Sequence, residues 1–380
     1  MIVLRPSQGF ARVTKRRPCR ICGKPDWCSY TRDEQVSICM RVHEGARRIN
    51  QQGGAIFVHA SNSEASFLYL RQKHGSPDTV LAPIKVRDVI YQTLIRLSPA
   101  TCYWKELVEG MKGLRARGFA ENHLAGYGAL PPQAWERDLL AKQILRAVNE
   151  QCPEITTLGG IPGFWRDHNG WHLWTRANYA QPRLLIPCRD SNGLIQACQM
   201  RSSSSACKRL RYCWLSSKAF LEGTGSGNPL HFTFQQSNLP PAASIMIVEG
   251  LLKANALVAL RPQLFAVATS GVAANHELLV DLTKGRRVTL AVDQDYLTNP
   301  AVCLSLAALL ARRSESESTL DTTQIACWPT SVKGIDDAAV RQLPIGTISV
   351  EMWLRQLSND LRRKVEQYWK SEYSFVLRNF

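Results

Sequence analysis

Residues 244–302 read SIMIVEGLLKANALVALRPQLFAVATSGVAANHELLVDLTKGRRVTLAVDQDYLTNPAV, and the fold class can be predicted from their pattern. Two short apolar runs, 245–248 and 288–292, have the length and β-branched content of fully buried strands, and 264–268 predicts another strand. Helical apolar spacing occupies the two connecting segments, 251–260 and 275–283. Because strands alternate with helices, the sequence predicts an α/β fold with a parallel, doubly wound sheet.

Both outer strands of this stretch end in acidic residues. Glu249 closes the first run, and Asp293 and Asp295 follow the last. The carboxyl ends of parallel strands open onto one crevice, so we expect these three carboxylates to converge there. Their mutual repulsion would be relieved by a hard cation, Mg²⁺ or alternatively Mn²⁺. In the competing interpretation the two aspartates only begin a turn, but Asn299 and Pro300 already supply the cap of the next helix.

A strand ending in Glu-Gly, followed by one ending in Asp-x-Asp, resembles the Toprim signature. That signature is shared by bacterial DnaG-type primases, type IA and type II topoisomerases and some nucleases, and the match runs from Ile245 to about Val340. The resemblance implies that Asp293 and Asp295 hold Mg²⁺. It also implies that Glu249 is either a further ligand or the general acid/base.

Two further positions follow from comparison with the primase pattern. The segment Lys333-Gly-Ile-Asp336-Asp337 resembles the acidic turn after the last Toprim strand, which implies outer Mg²⁺ ligands. Its aspartates are offset by one residue, so the sequence leaves open which of them points inward. Lys253 stands where many primases have another acid. It either contacts phosphate or neutralises the acidic cluster.

The segment 183–216 is rich in basic residues and resembles the stretch just upstream of Toprim in DnaG-type primases, which topoisomerases do not share. The resemblance implies a basic ridge that holds the template strand and the incoming triphosphate. Its members are Arg183, Arg201, Lys208, Arg211 and Tyr212. Arginines bind phosphates through two N–H groups, and an aromatic ring stacks on bases. The alternative is an ordinary solvated basic face of a sheet.

The N-terminal cysteines predict a structural zinc site. Cys19-x-x-Cys22-Gly is a zinc knuckle, and Cys28 and Cys39 lie on an adjacent predicted hairpin. His43 is the alternative fourth ligand if Cys39 belongs to a core. A zinc ribbon ahead of a Toprim domain also resembles primases.

Composition limits the partners. The formal net charge of +16 favours a polyanionic partner, nucleic acid before membrane. Residues 1–9 lack the apolar core of a signal peptide, and no apolar run approaches membrane-spanning length, so we expect a cytoplasmic protein. In that compartment twelve cysteines do not indicate a disulfide framework.

The predicted organisation has five parts. They are a zinc ribbon (1–50), a helical region (51–150), a basic, β-rich N-terminal subdomain of the primase core (151–243), the Toprim domain (244–345) and a C-terminal amphipathic helix (346–380). Helices are expected at 64–73, 86–96, 103–115 and 133–149 of the second part and at 350–369 of the last. The tail helix either packs on Toprim or docks a partner.

Three hypotheses for function follow. The first is a DNA primase that makes short RNA primers on single-stranded DNA from nucleoside triphosphates. With no G-x-x-x-x-G-K-[ST] motif in the chain, unwinding would fall to a separate replicative helicase. The second is a Toprim nuclease or topoisomerase-like enzyme that uses the same carboxylates for cleavage. The third is a non-catalytic nucleic-acid-binding module, and the intact acidic triad argues against it.

Overall fold

The computed structural model describes residues 10–15, 17–31, 36–42, 48–49, 54–58, 79–110, 112–202, 211–218, 220–316 and 322–373. The chain divides into two compact units, Met1–His74 and Gly75–Phe380. The predicted helix 64–73, His43 and Lys208 lie outside the described residues. A membrane-crossing helix is not found in the described part of the chain.

The first unit contains an antiparallel sheet built around the cysteines. Its strands are β1 (Phe10–Arg12), β2 (Ser29–Thr31), β3 (Val36–Cys39), β4 (Arg48–Ile49) and β5 (Ala55–Val58), in the spatial order β1-β2-β3-β5-β4. Strand β5 pairs with β3 along its whole length, from Val58 opposite Val36 to Ala55 opposite Cys39. The sheet of this module therefore continues past the boundary predicted at residue 50.

The second unit begins with helices around one short strand. These elements are α1 (Ile84–Leu97), α2 (Glu121–Leu124), β6 (Gly128–Leu130) and α3 (Ala134–Gln151). The predicted helix at 103–115 is wrong. The segment instead forms a 3₁₀ turn (Ala100–Tyr103), a π turn (Trp104–Val108) and a second 3₁₀ turn (Arg115–Arg117). Gly113 explains part of the difference, because a β-carbon there would lie 2.3 Å from the Val108 carbonyl oxygen, so the chain turns back tightly at this point.

The β-rich subdomain comes next. It contains a hairpin of β7 (Phe164–Asp167) and β8 (Gly170–Leu173), and then β9 (Arg183–Arg189), β10 (Ile195–Ser202) and β11 (Tyr212–Trp214). The last three join β6 in an antiparallel sheet of order β11-β10-β9-β6. The turn between β9 and β10 is fixed by Asp190, whose Oδ1 accepts the N–H groups of Asn192 at 2.9 Å and Leu194 at 2.8 Å.

The predicted parallel sheet is confirmed. Its strands are β12 (His231–Phe232), β13 (Ile245–Glu249), β14 (Phe265–Thr269), β15 (Val288–Ala291), β16 (Thr323–Cys327) and β17 (Gly346–Ser349), in the order β12-β14-β13-β15-β16-β17. The four central strands run parallel, and the two outer ones are antiparallel to their neighbours. Strand β13 is central, with Ile245 opposite both Phe265 and Val288.

Helices pack against both faces of this sheet. They are α4 (Leu251–Leu260), α5 (His276–Leu282), α6 (Pro300–Ser316), α7 (Ile335–Val340), α8 (Val350–Gln356) and α9 (Asn359–Glu372). One core joins α4 and α7 to Leu184 of the β-rich subdomain, and the other joins α5 and α6 to the C-terminal helices. The site described below therefore has the β-rich subdomain packed on the same face of the sheet as α4.

The prediction of a single C-terminal helix at 350–369 is wrong. It forms two helices, because Ser358 begins the second one by accepting the Leu361 N–H at 3.4 Å. Trp353 and Trp369 are fully buried against α6, and the Trp369 indole N–H donates to the Ala307 carbonyl at 2.9 Å. The apolar face of this segment is thus part of the core, which contradicts its use for docking a partner.

Candidate functional site

The acidic residues of the two central strands meet at the carboxyl edge of the sheet. Glu249 is the last residue of β13, and Gly250, with φ of +102°, turns the chain into α4. Asp293 follows the neighbouring strand β15, and its backbone N–H donates to Glu249 Oε2 at 3.4 Å. The expected convergence of the strand ends is present for this pair.

Asp295 lies two residues further along the chain, in the 3₁₀ turn Gln294–Leu297. Lys333 Nζ is 2.7 Å from Asp295 Oδ2 and 3.4 Å from Asp293 Oδ2. The contact with Asp295 raises the pKa of Lys333. The other oxygen, Asp295 Oδ1, is buried and has no hydrogen-bond partner among the described residues. One carboxylate oxygen of Asp295 is therefore paired with Lys333, and the other has no partner among the described residues.

The acidic turn after β16 contributes one aspartate to the site. Asp336, in the first turn of α7, is 2% exposed, whereas Asp337 is exposed. Asp336 is thus the inward-pointing member of the pair. Its Oδ2 accepts from the guanidinium of Arg117, and its Oδ1 is buried without a hydrogen-bond partner among the described residues. We refer below to Glu249, Asp293, Asp295 and Asp336 as the acidic site.

Lys253 lies on the first turn of α4, and its ammonium group donates to Asp293 Oδ1. Gly334 marks how closely these groups approach: a β-carbon there would lie 2.6 Å from Asp336 Oδ1, 3.6 Å from Lys253 Cε and 3.7 Å from Asp293 Oδ1. Lys253, Asp293 and Asp336 therefore meet around one glycine that any side chain would disturb.

The electrostatics of the acidic site follow from burial and from these charges. Burial raises the pKa of Glu249, the Asp293 charge raises it further, and Lys253 opposes both. Burial likewise raises the pKa of Asp336, against the opposing effect of Arg117 and Lys253. Carboxylates with raised pKa values in a crevice are suited to accepting or releasing protons.

The acidic site fits a hard cation in part. The unpaired, buried oxygens of Asp295 and Asp336 are of the donor type that Mg²⁺ prefers. However, the carboxylates do not form a close cluster. Among the described residues, three or more ligand atoms lie within 4.8 Å of one another in the group of four N-terminal cysteines, and not in the acidic site. Lys253 and Lys333 already pair with both oxygens of Asp293. The oxygens suited to a divalent ion are those that the two lysines leave unpaired.

Three members of the predicted basic ridge, Arg201, Arg211 and Tyr212, lie close together. We refer to these three residues and Arg117 as the basic face. Arg201 on β10 lies opposite Tyr212 on β11, and the Arg211 guanidinium is 5.8 Å from the centre of the Tyr212 ring. Arg201 is 3% exposed, and its Nε and Nη2 are buried without hydrogen-bond partners in the described structure. Burial lowers its pKa to about 10, and the charges of Arg117 and Arg211 also lower it. A buried, partly unpaired guanidinium is suited to an anionic ligand.

Arg183 is separated from this group. It lies opposite Ser202, one residue out of step with Arg201, which lies opposite Leu184. Neighbouring residues of a strand point to opposite faces, so Arg183 and Arg201 project from different sides of the sheet. The Arg183 guanidinium lies 5.0 Å from the centre of the Trp174 ring and 4.9 Å from that of Tyr179. The structure therefore divides the predicted ridge, and Lys208 is outside the described residues.

Arg117 and Lys333 are site residues that the sequence prediction missed. Arg117 connects the acidic site to the basic face, since it donates to Asp336 and lies close enough to Arg201 to lower its pKa. The sequence signal for Arg117 is its place before Gly118, whose φ of +82° ends the turn. Nothing in the spacing reveals that this turn meets Asp336, 219 positions later.

The four cysteines of the first unit fit a structural zinc site. Cys19, Cys22, Cys28 and Cys39 have all their sulfur atoms within 4.8 Å of one another. The Cys28 sulfur is 3.7 Å from that of Cys22 and 3.9 Å from that of Cys39. Four Zn–S bonds of about 2.3 Å in a tetrahedron place sulfurs about 3.8 Å apart. Cys39 therefore belongs to the cluster whose geometry fits zinc.

Backbone N–H groups donate to two of these sulfurs. The backbone N–H of Met40 donates to the Cys28 sulfur at 3.5 Å, and that of Val42 donates to the Cys39 sulfur at 3.3 Å. Burial, together with the neighbouring Cys19 and Cys22, raises the pKa of Cys28 to about 12. Thiol ligands bind metal in the deprotonated form, so a bound cation would have to overcome this burial. The closed Cys₄ set leaves no open position, which makes the site structural.

Comparison with known proteins shows similarity to solved primase structures. No family model and no curated protein matches the sequence. Among solved structures, the zinc-binding and RNA polymerase domains of the Aquifex aeolicus primase match at 12% identity, over 97% of this chain and 93% of that one, with a TM-score of 0.44. The E. coli primase catalytic core matches at 17% identity over 72% and 79%, with a TM-score of 0.43. A DnaG primase catalytic domain bound to single-stranded DNA matches at 18% identity over 68% and 76%, with a TM-score of 0.42.

Proposed function

We propose that the chain is a DNA primase that makes short RNA primers on a single-stranded DNA template by metal-dependent nucleotidyl transfer. The observation that carries this proposal is the Arg117–Asp336 ion pair, which joins the acidic site to the basic face. Phosphoryl chemistry needs carboxylates for a divalent cation and cationic groups for the phosphates in one crevice. A nucleic-acid-binding module without catalytic activity has no need for the buried, unpaired oxygens of Asp295 and Asp336.

The proposed reaction is attack by a 3′-hydroxyl on the α-phosphate of a nucleoside triphosphate. The new O–P bond forms as the bond to the β-phosphate oxygen breaks, and pyrophosphate leaves. Glu249 would accept the hydroxyl proton, and its raised pKa, caused by burial and by Asp293, supports this role. Arg201 and Arg211 would hold the phosphates, and Tyr212, which is 37% exposed, would stack on a base.

Asp295 and Asp336 would hold a divalent cation through their unpaired oxygens. Such an ion, Mg²⁺ or Mn²⁺, supplies stabilisation of the negative charge that develops on the attacking and leaving oxygens. Lys333 is 61% exposed on its side chain, so it can release Asp295 and turn towards a phosphate instead. Positioning of the substrate by this chain's own cationic groups accounts for the rest of the proposed catalysis.

The test is an assay of the full chain with single-stranded DNA, four ribonucleotides and Mg²⁺, read out as pyrophosphate release and as oligomer length. Wild type should make short template-dependent oligomers. Asp295→Asn should lower the rate by roughly 10²-fold or more, because it removes a charge from the acidic site without changing its shape. Asp281→Asn, on the exposed side of α5, is the matched control and should retain wild-type activity.

Binding of DNA separates the chemical role from a structural one. Asp295→Asn should bind single-stranded DNA as tightly as wild type, since the basic face is unchanged. If wild type nicks DNA under the same conditions and makes no oligomers, the primase proposal is wrong and the nuclease hypothesis replaces it. Loss of DNA binding in Asp295→Asn would mean that the residue maintains the fold of the site.

A further inference from the structure

We propose that the Lys253 ammonium group is a built-in cation of the acidic site, so that the site takes up a single divalent ion. This inference rests on the proposed function, because it assumes that the acidic site holds a divalent cation. It concerns a residue whose role the sequence left open between phosphate contact and charge neutralisation. The observations that carry it are the position of Lys253, its burial and the contrast with Lys333.

The first observation is where the ammonium group lies. Lys253 donates to Asp293 Oδ1, and the Asp293 backbone N–H donates to Glu249 Oε2 at 3.4 Å. Lys253 Cε and Asp336 Oδ1 lie 3.6 Å and 2.6 Å from the same point, where a β-carbon would stand on Gly334. Its positive charge therefore lies near three carboxylates that come from three separate segments. These are the end of β13, the end of β15 and the start of α7. A cation shared by carboxylates from several segments has the place that a divalent ion occupies in a metal site.

The second observation is that the side chain of Lys253 is largely buried. Its Cγ and Cδ lie 3.8 Å from where a β-carbon would stand on Gly250, and its Cε lies 3.6 Å from the corresponding point on Gly334. Both neighbours are glycines, and a side chain on Gly334 would also collide with Asp336. The lysine stem thus lies alongside two glycines, and its side chain is only 23% exposed.

The third observation is the contrast with the other lysine of the site. Lys333 pairs with Asp295, but its side chain is 61% exposed, so water can replace the contact at little cost. The acidic site also has two buried oxygens without hydrogen-bond partners among the described residues, on Asp295 and Asp336. The acidic site therefore contains one largely buried cationic group, that of Lys253, and two unpaired carboxylate oxygens that could bind one divalent ion.

The charge balance agrees with a single divalent ion. With Glu249, Asp293, Asp295 and Asp336 ionised, the carboxylates carry four negative charges, and Lys253 and Arg117 offset two of them. One divalent ion would neutralise the remainder when Lys333 turns away. A second divalent ion would leave an excess of positive charge in a largely buried site, which burial disfavours.

The experiment counts bound ions in the absence of DNA and nucleotides. The full chain, with its zinc retained, is titrated with Mn²⁺, and free Mn²⁺ is followed by electron paramagnetic resonance. Wild type should bind one Mn²⁺ per chain. Lys253→Asp exchanges the fixed cation for a ligand and should bind two. Lys142→Asp, on the exposed side of α3, adds the same charge elsewhere and should bind one.

A second variant guards against a folding defect in Lys253→Asp. Lys253→Met keeps the stem and removes the charge, so it should bind Mn²⁺ roughly tenfold more tightly than wild type, about 1.4 kcal/mol. Two ions bound by wild type, none bound by wild type, or an unchanged count in a folded Lys253→Asp would each overturn the inference. An unchanged affinity in Lys253→Met would do so as well.

Failure of this inference can be distinguished from failure of the proposed function. If the ion counts are as expected and no primers form, the primase proposal fails while the role of Lys253 stands. If primers form and wild type binds two ions, the primase proposal stands and the role of Lys253 is wrong.

Discussion

His231 and Asn255 form a buried hydrogen bond of 2.7 Å between the imidazole Nε2 and the amide Oδ1. The other ring nitrogen, Nδ1, accepts the backbone N–H of Arg189 at 3.0 Å. The ring therefore donates on one side and accepts on the other, which is possible only in the neutral form. His231 on β12 thus links α4 of the parallel sheet to β9 of the basic subdomain, and the link depends on the histidine staying uncharged.

The first prediction is that acid weakens this link. Burial lowers the pKa of His231 to about 4, below its ordinary value of 6.5. Between these values the unfolded chain takes up a proton that the folded chain does not, so stability falls as the pH falls from 6.5 towards 4. The contribution of this one residue should be a loss of about 2–3 kcal/mol between pH 7 and pH 4.5.

The measurement is urea unfolding at several pH values for wild type and His231→Gln, which has no group that titrates in this range. The difference in stability between the two should shrink by that amount on going from pH 7 to pH 4.5. His168→Gln, at an exposed position, is the control and should follow wild type. Parallel pH profiles for wild type and His231→Gln would contradict the prediction.

The second prediction concerns Arg201, whose burial is costly. Because its pKa is lowered to about 10 and two of its nitrogens lack hydrogen-bond partners in the described structure, the folded state carries the cost of a buried charge. Arg201→Met should therefore raise the free energy of unfolding of the second unit by about 1–3 kcal/mol. The same variant should bind triphosphate more weakly, because the phosphate would lose a cationic partner.

Urea unfolding and equilibrium binding of a labelled nucleotide measure the two effects. Arg201→Lys keeps the charge and should not gain stability, which separates the cost of the charge from changes in packing. A loss of stability in Arg201→Met, together with unchanged nucleotide binding, would show that Arg201 serves the fold and not a ligand.

The elements predicted correctly from sequence are those set by local signals. The strand at Ile245–Glu249 is an apolar run that a glycine ends, and the helix at Pro300–Ser316 begins with an asparagine cap and proline. Asn299 Oδ1 does accept the Ala301 N–H, at 3.0 Å. In such segments the hydrophobic period and the end signals agree, so the sequence alone determines the element.

The features that the sequence did not predict depend on distant parts of the chain. The bend at Gly113 and the Arg117–Asp336 pair arise only after folding brings remote segments together. The division of the basic ridge has a different cause. A shift of one residue in strand pairing reverses the face of every side chain, and the pairing of Arg183 with Ser202 cannot be read from composition.

The third prediction is that zinc stabilises the first unit alone. Cys22→Ser removes one of four thiolates, and a metal site of this kind contributes directly to folding of its module. Elemental analysis should find one zinc per chain in wild type and less in the variant. Limited proteolysis should then cut Cys22→Ser within residues 1–74, while the second unit, Gly75–Phe380, stays intact.

Cys102→Ser is the matched control, since that cysteine is exposed and lies in the second unit. It should keep its zinc and the wild-type proteolysis pattern. Unfolding of both units in Cys22→Ser would show that the boundary near residue 74 does not separate independent cores.

The fourth prediction uses salt to decide which arginines contact DNA. Lysine and arginine contacts release counterions when single-stranded DNA binds. The logarithm of the binding constant should therefore fall linearly with the logarithm of the salt concentration. Arg211→Ala should reduce that slope by roughly 0.7, the value for one phosphate contact on a single strand.

Arg183→Ala tests the opposite face of the sheet, where the guanidinium lies over Trp174 and Tyr179. If a strand crosses only the basic face, Arg183→Ala should leave the slope as in wild type. If it also reaches the other face, both variants should lower the slope, and the double variant should lower it by the sum. Lys142→Ala, on an exposed helix surface, is the control for a simple change of net charge. A slope that does not change in Arg211→Ala would remove this residue from the DNA-binding surface.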